Sequence, residues 1–325
     1  MKHISILVPG RAILGSLEGT RQLFAQVNEF LKSQGAPPLF KIELVGLTKE
    51  TTVSGGLFTV NSTALLSQVK KTDLIIIPAI DSDPVAMVED NKDFIPWIIG
   101  QYQAGAEVAS LCVGAFLLAS TGLLNGKQCA THWASANEFR NMFPEVNLVT
   151  EKIITDEHGT YSSGGAFSYL NLILYLIGKY ASHDMAVLLA KVFAIEIERS
   201  NQSAFMIFRG QKAHTDDDVK KVQDFIESNF QEKLTVEQLA DMFGIGRRSF
   251  ERRFKKATNN TVIEYIQRVK VEASKKSFET SRKNINEVMY EVGYSDTKAF
   301  REVFKKITGL TPLDYRNKYN KEAVA

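Results

Sequence analysis

Cys112 stands where a thiol could act as a nucleophile. It follows a strand-like run and precedes a helix-like run within the stretch SLCVGAFLLA of residues 110–119. Gly114 permits a sharp turn there, so the thiol would be exposed at a helix N-terminus, whose dipole lowers the pKa of a thiol. His132 follows 20 residues later and could be the base of a Cys–His pair. The pattern is that of a nucleophile elbow.

The same two residues allow a structural interpretation. Free cysteine is often simply buried, and His132 could be a hydrogen-bonded core histidine. From the residues alone, we favour this structural interpretation over a reactive pair.

A second group of chemically capable residues lies in an internal repeat. The letters FKKATNNTVIEY of residues 254–265 match FKKITGLTPLDY of residues 304–315 at an offset of 50 residues. Capping-box patterns at Thr235 and Asn284 open a helix in each copy, and Gly244 and Gly293 end those helices. Each copy therefore predicts helix, tight turn and helix, and two copies of one unit explain the repeat.

The second helix of each copy has a buried apolar face and an outward polar face. Phe250 and Phe254, and their equivalents Phe300 and Phe304, are assigned to the core. The second helix of a helix-turn-helix is the one that reaches base edges in the major groove. Arginine pairs bidentately with guanine, and lysines such as Lys256 can neutralise phosphates. The outward residues are the candidate DNA contacts, with a solvated face as the alternative: Arg247, Arg248, Glu251, Arg252, Lys255, Thr297, Lys298, Arg301, Glu302, Lys305 and Lys306.

The elements that must position Cys112 alternate between two patterns. Residues 2–8, 40–47, 73–78 and 106–111 are strand-like, whereas 21–34, 63–70 and 94–103 have helical periodicity. This alternation predicts an open, mostly parallel α/β sheet with helices on both faces. Residues 151–155 and 159–162 suggest a hairpin around Asp156, Glu157 and His158, and 188–197 suggests a helix. Such sheets bind ligands at the carboxyl ends of their strands, so Cys112 and His132 are also the candidate ligand-pocket residues.

The chain is long enough for two domains. We expect an α/β domain at 1–197, a linker at 198–217 and an all-α double helix-turn-helix domain at 218–325. The acidic run before Val219 can cap the first helix of that domain. From Val219 onward there are 22 Lys and Arg against 15 Asp and Glu, while the preceding residues have 17 against 22. A basic C-terminal third suggests a polyanionic partner, or a solvated charged face.

Composition excludes several classes of protein. No apolar run approaches the ~20 residues of a membrane helix. The apolar stretch at the N-terminus is shorter than a signal peptide needs. With only Cys112 and Cys129 present, a disulfide framework is excluded and the cytoplasm is expected. We expect no metal, no cofactor and no membrane partner.

The C-terminal residues resemble the AraC/XylS family of transcription regulators. The resemblance rests on Leu239-Ala240, Phe250–Phe254, Val292-Gly293-Tyr294 and Thr308–Arg316. It implies two recognition helices in successive major grooves of duplex DNA, and contact with RNA polymerase. This chain departs from the family at Gly246, where a capping Ser is frequent, and at Glu302, where a basic residue is common.

The first 185 residues resemble the ThiJ/PfpI superfamily, also called class I glutamine amidotransferase-like. The resemblance rests on residues 111–114, 121–127 and 131–133. The joining of such a domain to an AraC-type C-terminal domain is similar to the architecture of the GlxA-like subfamily. It implies a flavodoxin-like fold that senses a small molecule or forms a homodimer. In that family an acidic residue after the first strand is the usual partner of the thiol; its position falls near Ser16 here, and Glu18 is close but on the wrong turn. The family's Gly-Gly pair after the third core strand, which supplies backbone donors near the thiol, is replaced by Pro78-Ala79-Ile80.

These departures remove a thiol activator and oxyanion donors. We therefore expect a non-enzymatic DNA-binding regulator in which Cys112 and His132 are vestigial. The alternative is a PfpI-like hydrolase or glyoxalase-type enzyme that uses Cys112 and carries an accessory DNA-binding domain.

Overall fold

The computed structural model describes residues 1–81, 83–197 and 201–320. They fall into two compact units, Met1–Gln202 and Ser203–Ala325. The first three residues of the expected linker, 198–200, and the last five of the expected DNA-binding domain, 321–325, lie outside the described residues. None of the helices in the described ranges has both the length and the hydrophobicity to cross a membrane.

The first unit is built on a seven-stranded sheet. Its order is β10-β11-β7-β6-β1-β2-β5, and every pairing is parallel except that of β10 with β11. The strands of this unit are β1 Lys2–Leu7, β2 Phe40–Gly46, β3 Glu50–Val53, β4 Phe58–Asn61, β5 Ala64–Leu65, β6 Leu74–Ile77, β7 Glu107–Leu111, β8 Gln128–Cys129, β9 Asn147–Leu148, β10 Ile154–Glu157 and β11 Thr160–Ser163.

Helices cover both faces of this sheet. Alternate residues of a strand point to opposite faces, so Ile76 joins one core and Ile75 and Ile77 join the other. The predicted mostly parallel α/β fold with flanking helices is thus confirmed. The helices of this unit are α1 Leu14–Ser33, α2 Pro84–Asp90, α3 Ile95–Gln103, α4 Ala115–Ala119, α5 Ala136–Met142, α6 Tyr169–Tyr180 and α7 His183–Val192.

Two predicted helices of the first unit were wrong in type or extent. Within residues 63–70, Ala64 and Leu65 pair with β2 and only a 3-10 turn follows, because the open edge of β2 offers hydrogen bonds that override local periodicity. The helix expected at 188–197 instead spans His183–Val192, and Ala194 adopts a left-handed φ of +52° that a helix cannot continue through.

The predicted hairpin is present but shifted along the chain. Its strands are β10 and β11, and its turn lies at His158 and Gly159, not at residues 156–158. Both turn residues have positive φ, +52° and +81°. A two-residue hairpin turn with both central residues left-handed matches the twist of the flanking strands, which explains the shift.

The second unit is helical and contains two helix-turn-helix motifs, α9–α10 and α12–α13. The capping boxes predicted at Thr235 and Asn284 are confirmed, and Gly244 and Gly293 have the positive φ expected of a helix C-terminus. Phe250 and Phe254 lie in one core, and Phe300 and Phe304 lie in a second. The helices are α8 Asp217–Ser228, α9 Val236–Met242, α10 Arg247–Thr258, α11 Val262–Thr280, α12 Ile285–Glu291, α13 Thr297–Thr308 and α14 Pro312–Tyr319.

Most of the expected linker packs on the second unit. The Lys275 ammonium on α11 donates to the carbonyl of Met206 at 2.5 Å. The Phe208 N–H donates to Glu272 Oε2 at 3.1 Å, and the Phe208 ring lies 5.1 Å from that of Tyr265. The stretch from Ser203 onward is therefore part of the helical unit and is not a free tether.

Candidate nucleic-acid interface and cysteine site

Cys112 directly follows the carboxyl end of β7, an inner strand of the sheet. Its φ is +53°, a conformation that costs free energy for a residue with a Cβ and that recurs at functional sites. A 3-10 turn, Cys112–Gly114, leads directly into α4. Glycine is required at 114 because a Cβ there would lie 2.4 Å from the Pro78 carbonyl oxygen. The sharp turn predicted from the sequence is present.

The nucleophile-elbow interpretation, an exposed thiol with a lowered pKa, was wrong, whereas the buried cysteine that we favoured from the residues alone agrees with the structure. The Cys112 side chain is buried, and this burial raises the pKa of the thiol to about 11, against a smaller lowering by the Val113 N–H. A five-residue α4 supplies only a weak dipole, and desolvation of the thiolate outweighs it. The thiol is therefore protonated at neutral pH.

His132 is not joined to Cys112 by a hydrogen bond within the described residues. Its Nδ1 accepts from the Ala134 N–H at 3.2 Å and so caps a short turn. Burial lowers the pKa of the imidazole, which keeps it neutral near pH 7. Two hydroxyls reach the backbone of Cys112: that of Thr131 donates to its carbonyl at 3.0 Å, and that of Ser163 accepts from its N–H at 3.3 Å.

Ser16, at the position of the family's acid, satisfies the backbone and does not activate the thiol. Its Oγ accepts from the Ala79 N–H at 3.1 Å and donates to the Ile13 carbonyl at 2.8 Å. The Ala79 N–H belongs to the segment that replaces the family's Gly-Gly, so this potential oxyanion donor is already used. Glu18 is exposed and pairs with Arg21 at 2.7 Å, which places its carboxylate at the surface.

A separate cleft of about 410 Å³ lies between α6 and α7 of the first unit. Neither Cys112 nor His132 lines it. The polar residues along it are Asn171, Tyr175, Lys179 and His183. Lys179 is held by Glu107 at 2.7 Å.

On α10 the candidate DNA contacts fall into two groups. Arg248 and Arg252 are exposed, lie one turn apart and have no ion-pair partner among the described residues. Arg247 pairs with Glu237 on α9 and lies 3.6 Å from Glu251. Lys255, also exposed, donates to the Asn259 carbonyl at 3.0 Å. The first two arginines are thus available for an external ligand, whereas Arg247 and Lys255 are engaged within the protein.

The second recognition helix, α13, presents a similar face. Asp296 caps it by accepting from the Ala299 N–H at 2.6 Å. Lys298, Arg301 and Lys305 are exposed, with no ion pair within the parts of the chain that the structure describes; Glu302 and Lys306 are exposed as well, and Thr297 is half-buried.

Arg253 makes a contact that the sequence reasoning missed. It lies on α10 between Arg252 and Phe254, and its partly exposed guanidinium turns toward Asp216 and Asp218, at 2.6 Å and 2.9 Å. These hydrogen-bonded carboxylates raise the pKa of Arg253. The acidic run at 216–218, read only as a helix cap, was the signal that could have indicated this partner.

The chain matches two families in two places. Residues 239–318 match the helix-turn-helix domain family, and residues 28–177 match the DJ-1/PfpI family. These matches agree with the positions of the two helix-turn-helix motifs and of the α/β sheet.

Two relatives and one solved structure illustrate the likeness. The HTH-type transcriptional regulator GbdR of Pseudomonas aeruginosa is 23% identical over 69% of this chain and 61% of its own length. The chain thus spans about three fifths of that relative. The HTH-type transcriptional regulator CdhR of Pseudomonas aeruginosa is 20% identical over 96% of this chain and 90% of its own length. A crystal structure of an AraC family transcriptional regulator from Pseudomonas putida has a TM-score of 0.50 at 14% identity, covering 59% of this chain and all of that one, which shows the fold alone.

Proposed function

Since this chain joins a DJ-1/PfpI domain to an AraC-type helix-turn-helix domain, we propose that it is a sequence-specific DNA-binding transcription regulator. The observation that carries the proposal is the pair of unengaged basic faces. Arg248 and Arg252 on α10, and Lys298, Arg301 and Lys305 on α13, project from the second helix of each motif. That is the helix that reads base edges in this class of domain.

Selection of duplexes from a randomised library by the full chain tests this proposal. We expect enrichment of a site with two half-sites about one helical turn apart. Affinity should fall steeply with salt, because neutralised phosphates release counterions. Failure to enrich any sequence, or an affinity that does not change with salt, would contradict the proposal.

The α/β domain acts in this proposal as a sensing or dimerising module without turnover. The protonated Cys112 thiol, the neutral His132 and the Ala79 N–H bonded to Ser16 support that role. The left-handed Cys112 at a sharp turn favours a PfpI-like hydrolase or glyoxalase-type enzyme instead. A small-molecule effector would bind at the Cys112–His132 end of the sheet.

The remaining partners follow from the regulator role. A homodimer would present four recognition helices, and a regulator that activates a promoter would contact RNA polymerase, in the cytoplasm. Genome-wide mapping of the bound sites would identify the regulated genes, and their products would indicate the class of effector.

A further inference from the structure

Lys270 is a buried cation in the middle of α11. Only 6% of its surface is exposed, and no carboxylate pairs with it among the described residues. Its Nζ donates to two backbone carbonyls, that of Glu232 at 3.2 Å and that of Gly293 at 3.4 Å. Burying an ammonium without a counter-charge is unfavourable, and this desolvation lowers the pKa of the group. The position therefore calls for an explanation other than stability.

The two carbonyls belong to the two halves of the helical unit. Glu232 lies in the loop between α8 and α9, just before the first motif, whereas Gly293 lies in the turn between α12 and α13 of the second. Lys270 itself belongs to α11, which joins the two motifs. One ammonium thus connects the turn of the second motif, the loop that leads into the first motif, and the helix between the motifs.

The backbone of the second motif also meets the loop that leads into the first motif at this place. A Cβ on Gly293 would lie 2.0 Å from the Gln231 carbonyl oxygen, while the equivalent Gly244 of the first motif has nothing within 4 Å. Phe230 packs against the cores of both motifs. Glycine is therefore required at 293 for the close approach to the Gln231 backbone as well as for the positive φ of +74°.

A chain of contacts leads from Lys270 to the second recognition helix. The Lys270 Nζ lies 5.4 Å from the centre of the Tyr294 ring. That ring lies 5.4 Å from the ring of Phe300, which is buried on α13. A change at Lys270 would therefore be transmitted to the placement of α13.

We propose that Lys270 is a positioning residue that fixes the separation of the two recognition helices, and with it the half-site spacing that the protein accepts. The inference rests on the proposed function. Two helices that enter successive major grooves must match a separation of about 34 Å. A rigid bridge between the motifs restricts binding to one spacing, whereas a loose joint tolerates several.

The test compares full-length wild type with Lys270→Met, Lys270→Arg and a control, Lys276→Ala, which changes an exposed lysine on the same helix. Dissociation constants are measured on the selected duplex and on duplexes with one or two base pairs added between the half-sites. Lys270→Met should bind the selected duplex about tenfold more weakly, because the two motifs lose effective concentration for each other. Its preference for the selected spacing should largely disappear.

A role in folding alone would give a different result. Lys270→Met removes an unpaired buried charge, so its melting temperature should stay near that of wild type. Lys270→Arg should restore the spacing preference, because it keeps a cation and its donors. If the Met variant does not fold, the same comparison is made with Lys270→Gln.

Two outcomes would overturn the inference in distinguishable ways. If wild type and all variants bind specifically and Lys270→Met keeps the wild-type spacing preference, the role of Lys270 is refuted. The regulator function is left intact by that result. Absence of specific binding by wild type itself would refute the proposed function and the inference together.

Discussion

Arg253 and Asp216 form a two-point ion pair, with Nε 2.9 Å from Oδ2 and Nη2 2.6 Å from Oδ1. Asp216 is also the N-cap of α8, through its bond with the Val219 N–H. The pair therefore links the start of α8 to the middle of α10. Because residues on a helix are separated by about 100°, holding Arg253 against Asp216 sets the direction in which Arg252 points. The ion pair of Arg253 thus orients the neighbouring Arg252, which has no ion-pair partner in the described part of the chain.

Replacing Arg253 with alanine should reduce both stability and DNA affinity. We expect a loss of about 1–2 kcal/mol in the free energy of unfolding, since a partly exposed charge-assisted pair is removed. Affinity should fall on preferred and unrelated duplexes alike, because the change alters helix orientation and not a base contact. Thermal melts and anisotropy titrations measure the two effects, with Lys276→Ala on α11 as an exposed control outside the proposed DNA contacts. A loss confined to the preferred duplex would show that Arg253 reads bases.

The same pair predicts a dependence of stability on pH. Hydrogen bonds from Arg253 lower the pKa of Asp216 below its usual value of 3.8. A carboxyl with a lowered folded-state pKa stabilises the fold above its unfolded-state pKa and loses that contribution as the pH falls through the folded-state value. Asp216→Asn should therefore melt below wild type at pH 6, and the gap should narrow toward pH 2. Asp217→Asn, at an exposed neighbour, is the matched control; a gap between Asp216→Asn and wild type that stays constant from pH 6 to pH 2 would contradict the assignment.

The two groups of α10 residues should behave differently in binding. Arg248→Ala and Arg252→Ala should each lose about 1–3 kcal/mol on the preferred site, with a smaller loss on unrelated duplexes. Arg247→Ala should lose less, because Arg247 is engaged with Glu237. Lys305→Ala should weaken all duplexes equally and reduce the salt slope by about 1. Lys191→Ala on α7 is the control, and equal behaviour of all four variants would refute the orientation of α10.

The two cysteines should differ in their rates of reaction with an alkylating agent, even though both should react slowly. Burial raises the pKa of Cys112 to about 11 and that of Cys129 to about 12, so little thiolate exists at pH 8. Residue-resolved mass spectrometry after alkylation should show Cys112 modified first, and denaturant should equalise the rates. We expect no amidase, protease or glyoxalase turnover. Turnover that disappears in Cys112→Ser but persists in Cys129→Ser would establish the enzyme alternative.

The assembly is predicted from the regulator role. Light scattering on the full chain at micromolar concentration should give the mass of a dimer, and footprinting should protect two stretches, each covering two successive major grooves. A dimer raises the effective concentration of the second DNA-binding domain once the first has bound. A monomer that protects a single stretch would contradict the proposal.

Local sequence patterns were sufficient to predict much of the helical unit. The capping boxes at Thr235 and Asn284, the turn glycines and the apolar faces of α10 and α13 all depend on neighbours within one or two helical turns. Such features are encoded in short windows of sequence. The strands and helices around Cys112 were found in the same way, and so was the sharp turn at Gly114.

Long-range contacts decided the rest. Strand β5 forms because β2 offers an edge, and the Cys112 thiol is protonated because the surrounding core desolvates it. Arg253 finds its partner 37 residues away and Lys270 finds a carbonyl 38 residues away. The sequence by itself determined the helix-turn-helix helices and which face of each is polar, since periodicity and capping are local. Only the tertiary structure decided which charges are engaged and that both thiols stay protonated at neutral pH, because burial and distant partners exist only once the chain has folded.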